Sequence, residues 1–276
     1  MRQHTAESGV LASGLSYATL GDPDNDGASG QMVIFDSVRV SNAPLEGLRL
    51  QGARDAYDDY LSHRQIHIIE RRREMPIDYD IDDMVGDYEA SVPELTDEPF
   101  DLLGISGGGL LALRYAARNP ERVRSLTLLS SGHRLSESGR ELVRQWAAWA
   151  EELQWRRIHR STMQHMFANS LAGALFGGIA FLAPETLGTP EYPWDYIVGQ
   201  RAIAEGDCSA DAEAVRAPTL VITGARDLLF PPEVVEETAS RIPRGSASVY
   251  PGEAHGLLKS RKRELRDQIL SFMENA

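Results

Sequence analysis

The segment Phe100-Asp101-Leu102-Leu103-Gly104-Ile105-Ser106-Gly107-Gly108-Gly109 restricts the fold more than any other stretch of the chain. An apolar run of strand character enters Gly-x-Ser-x-Gly, and Leu110 to Arg118 follows with helical character until Asn119-Pro120 stops it. A strand can pass into a helix over so short a turn only where the neighbours lack side chains, because Cβ atoms there would clash. Such a turn lifts the Ser106 hydroxyl clear of the sheet and aims the Gly107 amide toward the same place. The start of the helix adds a field that favours negative charge. This is the local geometry of a nucleophile elbow.

The surrounding pattern repeats the strand–helix alternation. Strand character is read at Leu15 to Leu20, Gln31 to Phe35, Gln65 to Ile69, Pro99 to Ile105 and Val123 to Leu129, with helices at Ala53 to Ser62 and Ile81 to Leu95. Short apolar strands between helices predict an α/β fold: a mostly parallel central sheet with helices on both faces. The rhythm breaks at Gly132. From His133 to Ala217 every segment reads as helix, including a long one from Glu137 to His159 that carries Trp146, Trp149 and Trp155. Strand character resumes at Pro218 to Thr223 and again at Ala247 to Tyr250, with helices at Glu233 to Arg241 and Leu257 to Met273. The expected organisation is a core formed by 1–132 and 218–276, with a helical cap inserted at 133–217. The apolar run Leu171 to Ala183 reads as a buried cap helix lining an acyl pocket.

A serine at an elbow needs a base and an orienting acid, which follow it in the order acid, then histidine. Asp227 stands just past the Gly turn that ends Leu220-Val221-Ile222-Thr223-Gly224, and His255 stands in Pro251-Gly252-Glu253-Ala254-His255-Gly256 after the next strand. Both positions fall at the C-terminal ends of strands, the edge where open α/β sheets place their sites.

Taken together, these pieces resemble the α/β-hydrolase fold superfamily. The resemblance is carried by Gly104-Ile105-Ser106-Gly107-Gly108, by Asn119-Pro120-Glu121-Arg122-Val123, by Gly224 to Asp227 with Phe230-Pro231-Pro232, and by Ala254-His255-Gly256. It covers about two thirds of the chain and implies Ser106 as nucleophile, Asp227 as acid and His255 as base. A serine at the elbow sets the chain apart from the epoxide-hydrolase and haloalkane-dehalogenase branches, which attack through a carboxylate. One place departs from the family pattern. Where members carry His-Gly at the end of the third strand, this chain has Asp36-Ser37, so Val38 is the candidate for the second oxyanion amide beside Gly107. A carboxylate there opposes developing negative charge unless it is paired, and Arg39 and Arg71-Arg72-Arg73 are the bases at hand. The implied activity is carboxylic ester hydrolysis through an acyl-enzyme, without metal or organic cofactor, on a small ester-like substrate. Other chemistry of the same triad (C–C bond or amide hydrolysis, perhydrolysis) and a non-catalytic ligand receptor on the same scaffold are the alternatives.

Composition trims the remaining classes. The formal net charge is −13, which argues against nucleic acid because a phosphate backbone would be repelled. Residues 1–100 hold 20 acids against 8 Arg, and Asp78 to Glu98 contains nine acids and no base, the pattern of a solvated helix face. Of the 28 basic residues only Lys259 and Lys262 are lysine, a bias that suits a GC-rich or salt-loving host. The single cysteine, Cys208, excludes an internal disulfide framework and a cysteine-built zinc site. His63 and His67 have i,i+4 spacing but straddle a helix end, which makes them poor joint ligands. No secretory signal or membrane-length apolar run is read, so the expected location is the cytoplasm. Oligomeric state stays open, a homodimer included.

Overall fold

The computed structural model describes residues 5–21, 30–167 and 189–276. Eight strands form one sheet: β1 (Ala6–Val10), β2 (Ser16–Leu20), β3 (Gln31–Phe35), β4 (Gln65–Ile69), β5 (Phe100–Ile105), β6 (Val123–Leu129), β7 (Thr219–Gly224) and β8 (Gly245–Tyr250). Their order is β1-β2-β4-β3-β5-β6-β7-β8. Strands β1 and β2 pair antiparallel at one edge, and β3 to β8 run parallel. The parallel strands β5 and β7 are buried at every residue, which is why they read as continuous apolar runs rather than alternating ones.

Strand alternation divides the core in two. Val33, Phe35, Ile69, Leu102, Leu128 and Val221 face one apolar cluster, into which the helices α2 (Ile81–Ser91) and α3 (Gly107–Arg118) also pack. Met32, Ile34, Ile66, Ile68, Leu103, Leu129 and Ile222 face the other, closed by α1 (Gly47–Tyr57) and the C-terminal helix Lys262–Glu274. Neighbouring residues of one strand therefore serve opposite layers, as a period of two requires.

Several element boundaries differ from the sequence expectation, each for a local reason. Strand β1 was not expected: Ala6-Glu7-Ser8-Gly9-Val10 has no apolar face, and it exists because its backbone pairs with β2 from Ala6–Leu20 to Val10–Ser16. Helix α1 starts six residues before the expected Ala53 and ends in a 3-10 turn at Asp58–Tyr60. Helix α2 stops at Ser91 because Pro93, in the following 3-10 turn, has no N–H to continue the ladder. The expected helix Glu137 to His159 is two helices, α4 (Glu137–Glu151) and α5 (Trp155–Met166), so Trp155 lies on a different helix from Trp146 and Trp149. Leu153 at the break takes φ 55°, a left-handed conformation that no Gly or Asn announces. The two helices are tied by Trp146 Nε1–H donating to Ser161 Oγ at 2.9 Å, and Trp155 packs edge-on against Tyr196. The expected helix Leu257 to Met273 is likewise broken, at Arg261.

Between Gly132 and Ala217 the regular elements among the described residues are helices, joined by turns, with one isolated bridge, Arg134 to Asp207. Helices α4, α5, α6 (Pro193–Glu205) and α7 (Ser209–Ala214) contribute Val143, Trp146, Ile158, Tyr196 and Ala212 to the same apolar cluster that covers the sheet. The run Leu171 to Ala183 lies outside the described residues. Among the described residues no helix is long and apolar enough to cross a membrane.

The acids of 78–98 are spent on local structure. Asp80 and Asp83 form a capping box at the start of α2. Arg72 clasps Asp87 with Nε at 2.9 Å from both carboxylate oxygens, and Asp82 pairs with Arg114 at 3.1 Å. A buried charge cluster lies at the other end of β5. The Asp101 carboxylate accepts from Arg64 Nε at 2.8 Å, from Arg124 Nε at 2.9 Å and from Ser125 Oγ at 2.7 Å.

Two stability predictions follow from this packing. Helix α3 can approach β3 only because Gly108 has no side chain: a Cβ there would stand 2.3 Å from the Phe35 carbonyl oxygen and 2.4 Å from that of Asp36. Gly108→Ala should cost about 1–3 kcal/mol by overpacking, whereas Gly86→Ala, in open space on α2, should add about 0.5–1 kcal/mol. Urea denaturation of both variants would show equal and small shifts if the close approach were unimportant. The second concerns His67 on β4, whose Nδ1 is 2.9 Å from Thr19 Oγ1 and whose Nε2 is buried without a partner among the described residues. Burial pushes its imidazole down to about 4. Unfolded, it would protonate near 6.5, so between that pH and about 4 the unfolded chain holds the extra proton and stability falls as pH falls. Replacing it by His67→Gln should reduce the stability lost between pH 7 and 4.5 by on the order of 1–3 kcal/mol. Parallel acid profiles for the two proteins would refute this.

Candidate active site

Ser106 sits between β5 and α3 with φ 52° and ψ −126°, a costly backbone conformation for a residue with a side chain. Its surroundings hold it there. The Ser106 amide donates to the Leu129 carbonyl at 2.9 Å, and its own carbonyl accepts from Gly109 N at 2.9 Å and from Ser131 Oγ at 2.7 Å. Ser131 reaches that carbonyl across Gly109, where a Cβ would lie 2.1 Å from its hydroxyl. The strain is thus fixed from β6 as well as from within the turn.

His255 and Asp227 arrive from the loops after β8 and β7. Asp227 Oδ1 accepts from the amides of Leu229 at 2.9 Å and Phe230 at 3.2 Å. Its Oδ2 lies 3.3 Å from Thr223 Oγ1 and 2.8 Å from His255 Nδ1. The carboxylate is fully buried, so the imidazole is its one partner able to carry a compensating charge among these contacts. The His255 ring stacks on Phe230 at 6.2 Å and 20°, and its carbonyl is held by Ser130 Oγ at 2.8 Å. Its Nε2 is 2.9 Å from Ser106 Oγ. All three side chains singled out in the sequence therefore meet in one hydrogen-bonded line.

The loop after β3 answers the question posed by Asp36. The Asp36 carboxylate takes the Ser37 amide on Oδ1 at 2.6 Å and Arg39 Nη2 on Oδ2 at 3.1 Å. Arg39 also binds the buried Glu70 carboxylate, which Arg49 approaches at 3.4 Å. Burial works against the Arg39 charge, but Asp36 and Glu70 together hold it above its ordinary range. Burial likewise raises Glu70, against the pull of Arg39. The Arg71–Arg73 run does not neutralise Asp36. Arg71 donates to the carbonyls of Arg39 at 2.7 Å and Asp195 at 3.2 Å, Arg72 binds Asp87, and Arg73 binds Glu191.

Val38 stands at the centre of this loop. The Ser37 carbonyl accepts from Arg39 N at 2.8 Å, and the Val38 carbonyl accepts from Gln200 Nε2 at 3.3 Å. With Ser37 N and the Arg39 carbonyl also bound, the Val38 amide is the one main-chain polar group of 37–39 without a protein partner among the described residues. Gly107 lies against the Val38 side chain, and its amide, first in α3, has no acceptor within the helix.

Two cavities meet at Ser106 and His255. One, of about 290 Å³, lies under the 133–217 helices and is lined by Val38, Gly107, Val143, Trp146, Tyr196 and Ile203 among others. The second, of about 460 Å³, extends toward α1 past Leu45, Tyr57, Ile68 and Leu258. Trp146 thus both packs in the core and borders the space beside Ser106. The sequence reading had no means to find Gln200 and Glu70, whose only signal was their being polar residues in apolar segments. His63 and His67 do not converge. His67 bonds Thr19, and His63 is exposed at 3.9 Å from Glu274. Among the described residues no three His, Cys, Asp or Glu side chains group as metal ligands.

Comparison with known proteins agrees with this architecture. Residues 62–261 match the family model described as the alpha/beta hydrolase fold. A pimeloyl-[acyl-carrier protein] methyl ester esterase from Chromobacterium violaceum is 23% identical over 193 residues, covering 64% of this chain and 70% of the relative. An enol-lactonase from Burkholderia xenovorans LB400 superposes with TM-score 0.77 at 16% identity, covering 97% of this chain and 100% of the other. An alpha/beta hydrolase enzyme from a Medee basin deep-sea metagenome library gives TM-score 0.79 at 15% identity, over 99% and 96% of the two chains. The parallel sheet, the elbow and the family match lead to one conclusion: this chain belongs to the α/β hydrolase fold family.

Proposed function

We propose that the protein is a serine hydrolase acting on carboxylic esters, with Ser106 as nucleophile, His255 as general base and acid, and Asp227 as the group that orients the imidazole. The observation that carries this reading is the unbroken line Ser106 Oγ–His255 Nε2 at 2.9 Å and His255 Nδ1–Asp227 Oδ2 at 2.8 Å, opening onto a cavity. With Nδ1–H donating to the buried Asp227, Nε2 is left with its lone pair toward the hydroxyl.

Ser106 Oγ would then attack the ester carbonyl while its proton passes to His255 Nε2. The carbonyl oxygen gains the negative charge, and the amides of Gly107 and Val38 are placed to donate to it. Collapse of the tetrahedral species returns that proton to the leaving alcohol. Water, deprotonated by His255, attacks the acyl-serine, and its collapse restores Ser106 and releases the acid. No step calls on a metal or organic cofactor. The Asp36 carboxylate, bound on both oxygens, would hold the Val38 amide in position instead of repelling the oxyanion. The 133–217 helices would act as the cap that shapes the cavity. The methyl ester esterase and enol-lactonase names of the relatives are in keeping with ester chemistry.

A neutral fluorophosphonate tests the assignment directly, since an unassisted serine hydroxyl reacts slowly. Mass-spectrometric mapping should place one adduct, on Ser106. His255→Ala should slow its formation by a factor of roughly 10⁴ or more, because members of such a unit act together. Asp36→Gly, which frees the Ser37 amide and Arg39, should lower kcat for ester hydrolysis by about 10²-fold, the typical cost of losing one oxyanion donor. A well-folded protein with no adduct at Ser106 would defeat the hydrolase reading. Faster turnover in Asp36→Gly would mean that the carboxylate opposes the oxyanion after all.

A further inference from the structure

The cavity beside Ser106 has a charge character opposite to that of the chain. The protein carries −13 overall, yet among the described residues the cavity under the 133–217 helices is lined by Arg39 and Arg49 and by no carboxylate. Both arginines also line the second cavity, so they stand at the waist where the two spaces meet Ser106 and His255. They are not closed off by their own ion pairs. The Arg39 side chain keeps 39% of its surface open and Arg49 keeps 31%, while Glu70 behind them keeps 3%. Arg39 Nε is buried with no hydrogen-bond partner among the described residues. Arg39 is shared between Asp36 and Glu70, and Arg49 reaches Glu70 only at 3.4 Å.

We propose that Arg39 and Arg49 form a carboxylate-recognising subsite beside the reacting serine, and that the substrate is an ester bearing a free carboxylate. The proposal rests on the hydrolase reading and narrows its substrate class. Among the described residues the second cavity is lined by Arg39, Arg49 and Lys259 and by one carboxylate, Asp36; with Glu70 behind the arginines counted, Lys259 leaves an excess of one positive charge. That excess matches a monoanion better than a doubly charged phosphate. A guanidinium presents paired donors to the two oxygens of a carboxylate, so recognition would be directional as well as electrostatic.

The test compares monomethyl adipate with methyl hexanoate, which present a similar methyl ester with and without the distal carboxylate. The wild type should favour monomethyl adipate by about 10-fold or more in kcat/KM, through KM, as expected for a charge-assisted contact made equally in ground and transition states. Arg49→Gln should cut that ratio by about 10-fold, while Arg49→Lys, which keeps the charge and loses the paired donors, should give an intermediate ratio. The lysine variant separates charge from the structural work of Arg49, which also donates to the carbonyls of Ala43 and Pro44. Calorimetry on Ser106→Ala protein should show monomethyl adipate binding, weakened by Arg49→Gln. A ratio of one or below, or a ratio unmoved by Arg49→Gln, would overturn the subsite, as would inorganic phosphate binding more tightly than monomethyl adipate. Fluorophosphonate labelling keeps the two ideas apart. A protein that labels at Ser106 without carboxylate preference loses only the subsite. In a protein that does not label, the hydrolase reading falls and monomethyl adipate calorimetry alone decides the subsite.

Discussion

Everything at the site hangs on how closely the first turn of α3 is pressed against the end of β3. Gly108 has the carbonyl oxygens of Phe35 and Asp36 where a side chain would begin, and Val38 leans on Gly107. That contact brings the serine of one strand and the loop of its neighbour to the same point. It also explains why the elbow is strained yet ordered: Ser106 cannot relax its φ of 52° without moving a helix that is buried along most of its length. The cost is met by bonds from β6, through the Leu129 carbonyl and the Ser131 hydroxyl.

Given that contact, the loop 36–39 has to be rigid, and charge makes it so. A carboxylate beside a site that develops negative charge is tolerable only when both its oxygens are bound, as they are by the Ser37 amide and Arg39. Arg39 is in turn fixed by Glu70, and the Arg39 carbonyl by Arg71. Gln200 reaches in from α6 to the Val38 carbonyl. Strands β3 and β4 and the helices over the sheet edge thereby share one polar network. Within 37–39 its geometry leaves one amide, that of Val38, without a partner among the described residues and turns two guanidinium groups toward the cavities.

The same network ties the 133–217 helices to the sheet. Tyr196 and Ile203 belong to the apolar cluster that covers it, and Gln200 between them bonds the 36–39 loop. On the other side, Gly256 N donates to the Met166 carbonyl at the end of α5, next to His255. The helices thus bond the loop beside Ser106 through the Gln200 side chain and the loop of His255 through the backbone of Met166, so a shift in them would be felt on both sides.

What the sequence determined by itself was the α/β alternation and the strained turn at Ser106, and it singled out Asp227 and His255, which the fold brings beside that serine. Each depends on short-range rules: two-residue periodicity in buried strands, glycines flanking a strained turn, loop positions just past strand ends. Features that depend on long-range contacts were decided by the tertiary structure. Strand β1 has no apolar pattern and forms only because β2 offers it an edge. The break at Leu153 has no Gly or Pro to mark it and is set by packing Trp155 on Tyr196. How the Asp36 carboxylate is bound could not be read from its identity, because its setting lies in Arg39, Glu70 and Gln200, up to 164 positions away in the chain. Spacing along a strand or turn is written locally, whereas the pairing of buried charges depends on which distant segments the fold brings together.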